Sequence, residues 1–163
     1  MTQATVNRRF SDPVEGFNHR TQWVGGCLEY TGHRDRNGYG KMNVHGRGML
    51  AHRFAWELEH GPIPDGMYLD HRCHNPACCN TAHLRLATQK QNMEHQTRAH
   101  KGSKSGVRGV YWQAQRGKWA AQVRHNGVSH YLGLFEDIQE AAEVVKAKRL
   151  ELFTHNDADR KVA

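Results

Sequence analysis

The chain has 163 residues, a formal net charge of +7 with histidine neutral, and 24% charged against 37% apolar residues. That balance, with a mean hydropathy of -0.84, excludes one large buried core and leaves small domains that gain from a staple such as a metal. The surplus of Lys and Arg favours a polyanionic partner, since each cation laid on a phosphate releases condensed counterions; no run is apolar enough to span a bilayer, and a membrane partner is not expected.

Residues 1–26 show no clear period and read as a lead-in, with one short helix near Pro13 to Phe17. No leader pattern surrounds Arg8 and Arg9, so a cytoplasmic, intracellular location is expected. Residues 38–50, with His45-Gly46-Arg47 at their centre, have the glycine turn of a β-hairpin. Ala51, Phe54, Ala55 and Leu58 then recur at helical spacing, and Gly61-Pro62 ends that helix. A short strand over Met67 to His71, a loop of ligand-type residues from Asn75 to Ala82, a strand over Leu84 to Thr88 and a polar helix over Gln89 to Arg98 follow.

Residues 99–106 are small and basic, the composition of a linker. Beyond them lie three candidate strands, Val107 to Gln113, Lys118 to His125 and Val128 to Phe135, the last two joined by Asn126-Gly127. Trp119, Ala121 and Val123 alternate with Ala120, Gln122 and Arg124, which gives one apolar and one polar face. A helix headed by Asp137 and Glu140 covers the apolar face through Ile138, Ala141, Ala142 and Val145. The expected class is α+β, with domains over residues 27–98 and 107–155 and a tail over 156–163.

Three of the four cysteines fall within seven residues, beside histidines. Cys73, Cys78 and His83 are evenly spaced, which lets a loop wrap a tetrahedral ion, and Cys27 is the economical fourth ligand. Such a closed zinc site is structural. Cys79 is the alternative to Cys78, which the spacing to His83 favours. His71 closes a strand just before this loop, where its imidazole can take a proton from water near neutral pH. Asn92, early on the following helix, offers an amide oxygen suited to a hard cation such as magnesium. Together these groups suit phosphodiester hydrolysis.

The segment from about Cys27 to His95 resembles the HNH, or His-Me finger, endonucleases of the zinc-binding branch found among homing enzymes and bacteriophage genes. Tyr39-Gly40, Ala51-His52-Arg53, Gly61-Pro62-Ile63-Pro64, Leu69-Asp70-His71 and His83-Leu84-Arg85-Leu86 carry the likeness, together with Asn92. The resemblance implies a ββα-metal fold with His71 as general base, Asn92 as magnesium ligand, Asp70 as a second acidic ligand, and Arg53, with Arg47 as a rival, holding the scissile phosphate. Asn80 and His83 compete for the middle letter of the family name, and a backbone carbonyl is the expected partner orienting His71.

Residues 105–155 resemble the DNA-binding domain of plant ethylene-response factors, through Val107-Arg108-Gly109-Val110, Gly117-Lys118-Trp119-Ala120-Ala121, Tyr131-Leu132-Gly133 and Glu140-Ala141-Ala142. That family lays a three-stranded sheet into the major groove of double-stranded DNA. Arg108, Gln122, Arg124 and Tyr131 match its contacts, and Tyr111, Trp112, Arg116 and Lys118 lie nearby; Tyr111 and Ser129 replace basic residues, so the plant target sequence does not transfer.

A metal-dependent DNA endonuclease of phage or mobile-element type is therefore expected, with a non-cleaving zinc-containing DNA-binding regulator as the alternative and an RNA-directed protein as a weaker third. Deleting residues 105–163 is expected to weaken affinity and flatten the salt dependence while leaving some cutting. The recognition sequence, the number of strands cut and the oligomeric state are not specified by the sequence.

Overall fold

The computed structural model describes residues 10–96 and 99–160, and the chain divides between Ala87 and Thr88 into two compact units. In the first unit, helix α1 (Pro13–His19) starts at Asp12, whose carboxylate accepts from Val14 N–H, with proline at the first helical position. Strands β1 (Thr21–Val24) and β2 (Cys27–Tyr30) form an antiparallel hairpin. Of the lead-in expected over residues 1–26, residues 10–26 are thus structured, and residues 1–9 lie outside the described residues. Its strands escape a hydrophobic-period reading because most of β1 faces solvent.

Strands β3 (Lys41–Val44) and β4 (Arg47–Leu50) form the expected hairpin, turning through His45 and Gly46, both with positive φ. Such a turn matches the right-handed twist of the strands it joins. Helix α2 (Ala51–His60) follows without a break and buries Ala51, His52, Phe54 and Ala55, whereas Leu58 of the expected apolar stripe is 53% exposed. The core joins Ala51, Phe54 and Ala55 to Phe17, Tyr30 and Cys79. Strand β5 (Tyr68–His71) pairs antiparallel with β6 (Leu84–Ala87), and a 3-10 turn (Thr81–His83) leads into β6.

The second unit opens with helix α3 (Gln89–His95), held by a capping box in which Thr88 and Gln91 satisfy each other's backbone N–H groups. Of the longer helix expected here, Thr97 and Arg98 lie outside the described residues. Strands β7 (Val110–Gln113), β8 (Lys118–His125) and β9 (Val128–Phe135) make an antiparallel sheet in that order. The β8–β9 register passes from Ala121↔Gly133 to Gln122↔Tyr131, leaving Leu132 as the extra residue of a bulge.

Helix α4 (Ile138–Leu152), capped by the Asp137 carboxylate, lays Ala141 and Val145 on Val110, Ala121 and Val123. One turn, α5 (Asp157–Arg160), falls where a tail was expected; Arg149 of α4 grips its Asp159 at 2.6 Å. Among the described residues no helix is long and apolar enough to cross a membrane.

Candidate active site and metal centre

The ligand atoms of Cys27, Cys73, Cys78 and His83 all lie within 4.8 Å of one another. From His83 Nδ1 the sulfurs of Cys27 and Cys78 are each 3.6 Å away. A tetrahedral zinc with bonds of roughly 2.3 Å to sulfur and 2.0 Å to nitrogen sets its S and N ligands about 3.5 Å apart, so the donors fit that ion in type, number and spacing. Burial pushes the Cys78 thiol up to about 12 and raises Cys73 as well, a cost that a bound cation would remove by holding thiolates.

The loop reaches this shape by docking on β2. Cys79 N–H donates to Leu28 O at 2.7 Å, and Tyr30 N–H to Ala77 O at 2.9 Å. Asn75 accepts from Ala77 N–H and donates to Glu29, a local turn that aims Cys73 and Cys78 inward. Asn80 caps the 3-10 turn by accepting from Ala82 N–H, and its amide donates to Gly26 O. Its visible role is to shape the loop. Cys79 points the other way, into the core beside Phe17 and Tyr30, which separates the two adjacent cysteines by geometry.

His71, at the end of β5, is 7% exposed. Its Nε2 lies 3.0 Å from Cys78 O. A carbonyl only accepts, so Nε2 is the nitrogen that donates to it. A zinc-loop carbonyl thereby orients the imidazole, as expected from sequence.

Sequence reading missed the neighbours of this ring. His52 stands edge-on to His71, with ring centroids 4.7 Å apart, and Tyr39 lies 5.4 Å from His52 and 5.8 Å from His71. Burial drives the His52 pKa down to about 3, helped by repulsion from His71 and Arg53. The Ala51-His52-Arg53 motif was the available signal, but spacing alone does not reveal that His52 faces His71.

Asp70 pairs across the β5–β6 ladder with Arg85, whose Nε and a terminal nitrogen donate to Oδ2 at 2.9 and 2.8 Å. Arg53 is half-buried on the first turn of α2, and Arg47 is exposed at the start of β4. Asn92 lies on α3, in the second unit.

On the second unit's sheet, register sets Tyr111 opposite Ala120, Gln122 opposite Tyr131 and Arg124 opposite Ser129. Directly opposed side chains share a face, and because Ala121 and Val123 sit in the core, these residues occupy the face away from α4. Tyr111 and Tyr131 are exposed there, as is Arg124. Lys118 extends the same row but meets Glu136 at 3.2 Å, and Arg116 projects from the β7–β8 turn.

Two residues stand apart from this face. Trp112 is opposite Trp119, rings 5.0 Å apart, on the α4 side of the sheet. Arg108 directs its guanidinium not outward but to backbone carbonyls of α3, because that helix end offers acceptors and negative partial charge.

Residues 49–94 match the family of HNH endonucleases. Protein 7.7 of Escherichia phage T7 is 43% identical over 68 residues, 42% of this chain and 52% of that protein. Protein 3.8 of the same phage is 32% identical over 98 residues, 60% of this chain and 80% of that protein. An uncharacterized HNH endonuclease, L560, of Acanthamoeba polyphaga mimivirus is 31% identical over 115 residues, 70% of this chain and 58% of that protein. The chain thus spans only about half the length of some relatives it matches. No solved structure matches it. The chain belongs to the HNH endonuclease family, in a group of phage and viral relatives.

Proposed function

We propose that the protein is a divalent-metal-dependent endonuclease that hydrolyses phosphodiester bonds in double-stranded DNA, with His71 as general base. One observation carries this reading: His71, 7% exposed at the end of β5, is held by its Nε2 against the Cys78 carbonyl 3.0 Å away, so the ligand loop orients the imidazole. A water at His71 would lose its proton to the imidazole as it attacks phosphorus. The Cys78 carbonyl would then face the Nε2–H of an imidazolium, a stronger donor than before. His52 stays neutral near pH 7 and so adds no second positive charge beside His71.

Asn92 and Asp70 supply the hard oxygen donors that the family's magnesium needs, and that cation, when bound, would stabilise charge developing on the phosphate and leaving oxygen. In this reading the nuclease domain is of the ββα-metal type. Arg85 holds the Asp70 carboxylate on one side, which orients it as it would a ligand. Arg53 would hold the phosphate, with Arg47 as a second cation on the first unit. Zinc would be held by Cys27, Cys73, Cys78 and His83 and is structural, since four protein donors close its shell.

The second unit would act as a DNA reader of the ethylene-response type, with Tyr111, Gln122, Arg124 and Tyr131 on the groove-facing sheet and Arg116 and Lys118 on phosphates. Given the phage relatives, the setting is a phage-infected host cell. Supercoiled plasmid incubated with the zinc-loaded protein should be nicked or linearised in magnesium and left intact in a magnesium-free control. Intact plasmid under every divalent metal, with DNA still bound, would favour the non-cleaving regulator.

A further inference from the structure

Arg108 matches a DNA-contacting position of the resembled domain, yet its guanidinium serves another helix. It donates to Glu94 O and Met93 O, each at 3.0 Å, and to Gln96 O. These are carbonyls of the last turn of α3 and of its cap residue Gln96, whose N–H also donates to Met93 O, and they form the negative end of the helix. The guanidinium also lies 5.4 Å above the Phe153 ring. Its own backbone is fixed in turn, because Arg149 donates to Arg108 O at 2.8 Å while gripping Asp159.

A second anchor holds the same helix. Glu94 is 4% exposed, and one of its oxygens accepts from Thr154 N–H at 3.1 Å and from the Thr154 hydroxyl at 3.3 Å. Lys90 and His125 approach the other oxygen at 3.3 and 3.5 Å. With seven residues, α3 is too short to persist without such help. Asn92 lies within it, between the capping box and the Arg108 clamp.

We propose that Arg108 is a positioning residue of the nuclease: by clamping the C-terminal end of α3 it fixes the helix that carries Asn92, the proposed magnesium ligand. This rests on the role given to Asn92 above. It revises the expectation for deletion of residues 105–163, which removes Arg108, His125 and Thr154 together. Cutting is then lost outright rather than weakened.

The test uses the full chain with Arg108→Ala and Arg108→Lys. Lysine is a point charge that cannot span three carbonyls, so both variants should behave alike. Cleavage should fall about tenfold or more in kcat, with KM within about twofold and an unchanged salt slope. Without DNA or magnesium, amide exchange over Asn92 to Gln96 should speed up about tenfold while β8 keeps its protection. A DNA contact predicts the opposite pattern: protected α3 amides, a raised KM and a salt slope smaller by about one, and that result overturns the proposal. If alanine unfolds the chain, Arg108→Gln carries the same comparison. Because exchange is read without substrate, the clamp is judged even where no cleavage occurs, and the two failures are told apart.

Discussion

At the residue scale, the proposed chemistry turns on one buried histidine. Cys78 O accepts from His71 Nε2, so the loop that gathers the candidate metal ligands also orients that imidazole. His52 gives this cluster a pH signature. Its folded pKa of about 3 lies below the unfolded value of 6.5, so its contribution to stability is fully present above pH 6.5 and is lost as pH falls toward 3. The slope approaches about 1.4 kcal/mol per pH unit within that window, because the unfolded chain takes up a proton that the folded one refuses. Denaturant midpoints measured against pH should therefore fall more gently for His52→Gln than for the parent; parallel curves would contradict the assignment.

The adjacent cysteines also separate at this scale. Cys78→Ser should abolish stoichiometric zinc, whereas Cys79→Ala should keep one zinc per chain and lose about 1 kcal/mol of stability from the core. Metal analysis of the two purified variants checks this directly. Zinc loss from both, or from neither, would contradict the geometry.

At the element scale, backbone hydrogen bonds and a cluster of four candidate zinc ligands add to the small apolar core of the first unit. The ligand loop is tied to β2 by Cys79 N–H and Tyr30 N–H, and Arg72 N–H donates to His83 O at 2.9 Å, so metal removal should loosen β2, β5 and the loop together. A zinc chelator should lower the thermal midpoint of the first unit and leave the sheet of the second unaffected, as read by exchange on β8. In the second unit, Gly109 has φ +89, and a Cβ there would sit 2.7 Å from Gln122 O and 2.8 Å from Val145. Gly109→Ala should therefore cost more than about 1 kcal/mol in chemical denaturation, since both the backbone conformation and the contact resist it.

Elements with a strong period or turn were legible in the sequence. Helix α2, the two long strands joined by Asn126-Gly127, and the clustered donors Cys73, Cys78 and His83 each carry a local signature, whereas Cys27 was reached only as the remaining cysteine. What escaped was held by contacts distant in sequence. Strand β1 faces solvent and so shows no apolar alternation, and its turn at Gly25-Gly26, where both φ are positive, went unread. Helix α5 is held by Arg149 and Asn156 on Asp159 and by Arg160 on the Phe153 and Thr154 carbonyls, and Arg108 finds carbonyls 12 to 15 residues upstream. Spacing predicts a face or a turn; it does not predict which distant acceptor a long side chain will choose.

At the scale of the whole molecule, the net charge of +7 favours a polyanionic partner, and the HNH family match points the same way. His71, the proposed general base, stands in the first unit. Single-turnover cleavage of saturating double-stranded DNA in magnesium, comparing the parent chain with His71→Ala, divides binding out of the comparison. The account predicts a rate at least about a hundredfold lower for the variant, with unchanged Kd and zinc content, as removal of a general base entails. Equal rates for the two proteins would contradict it.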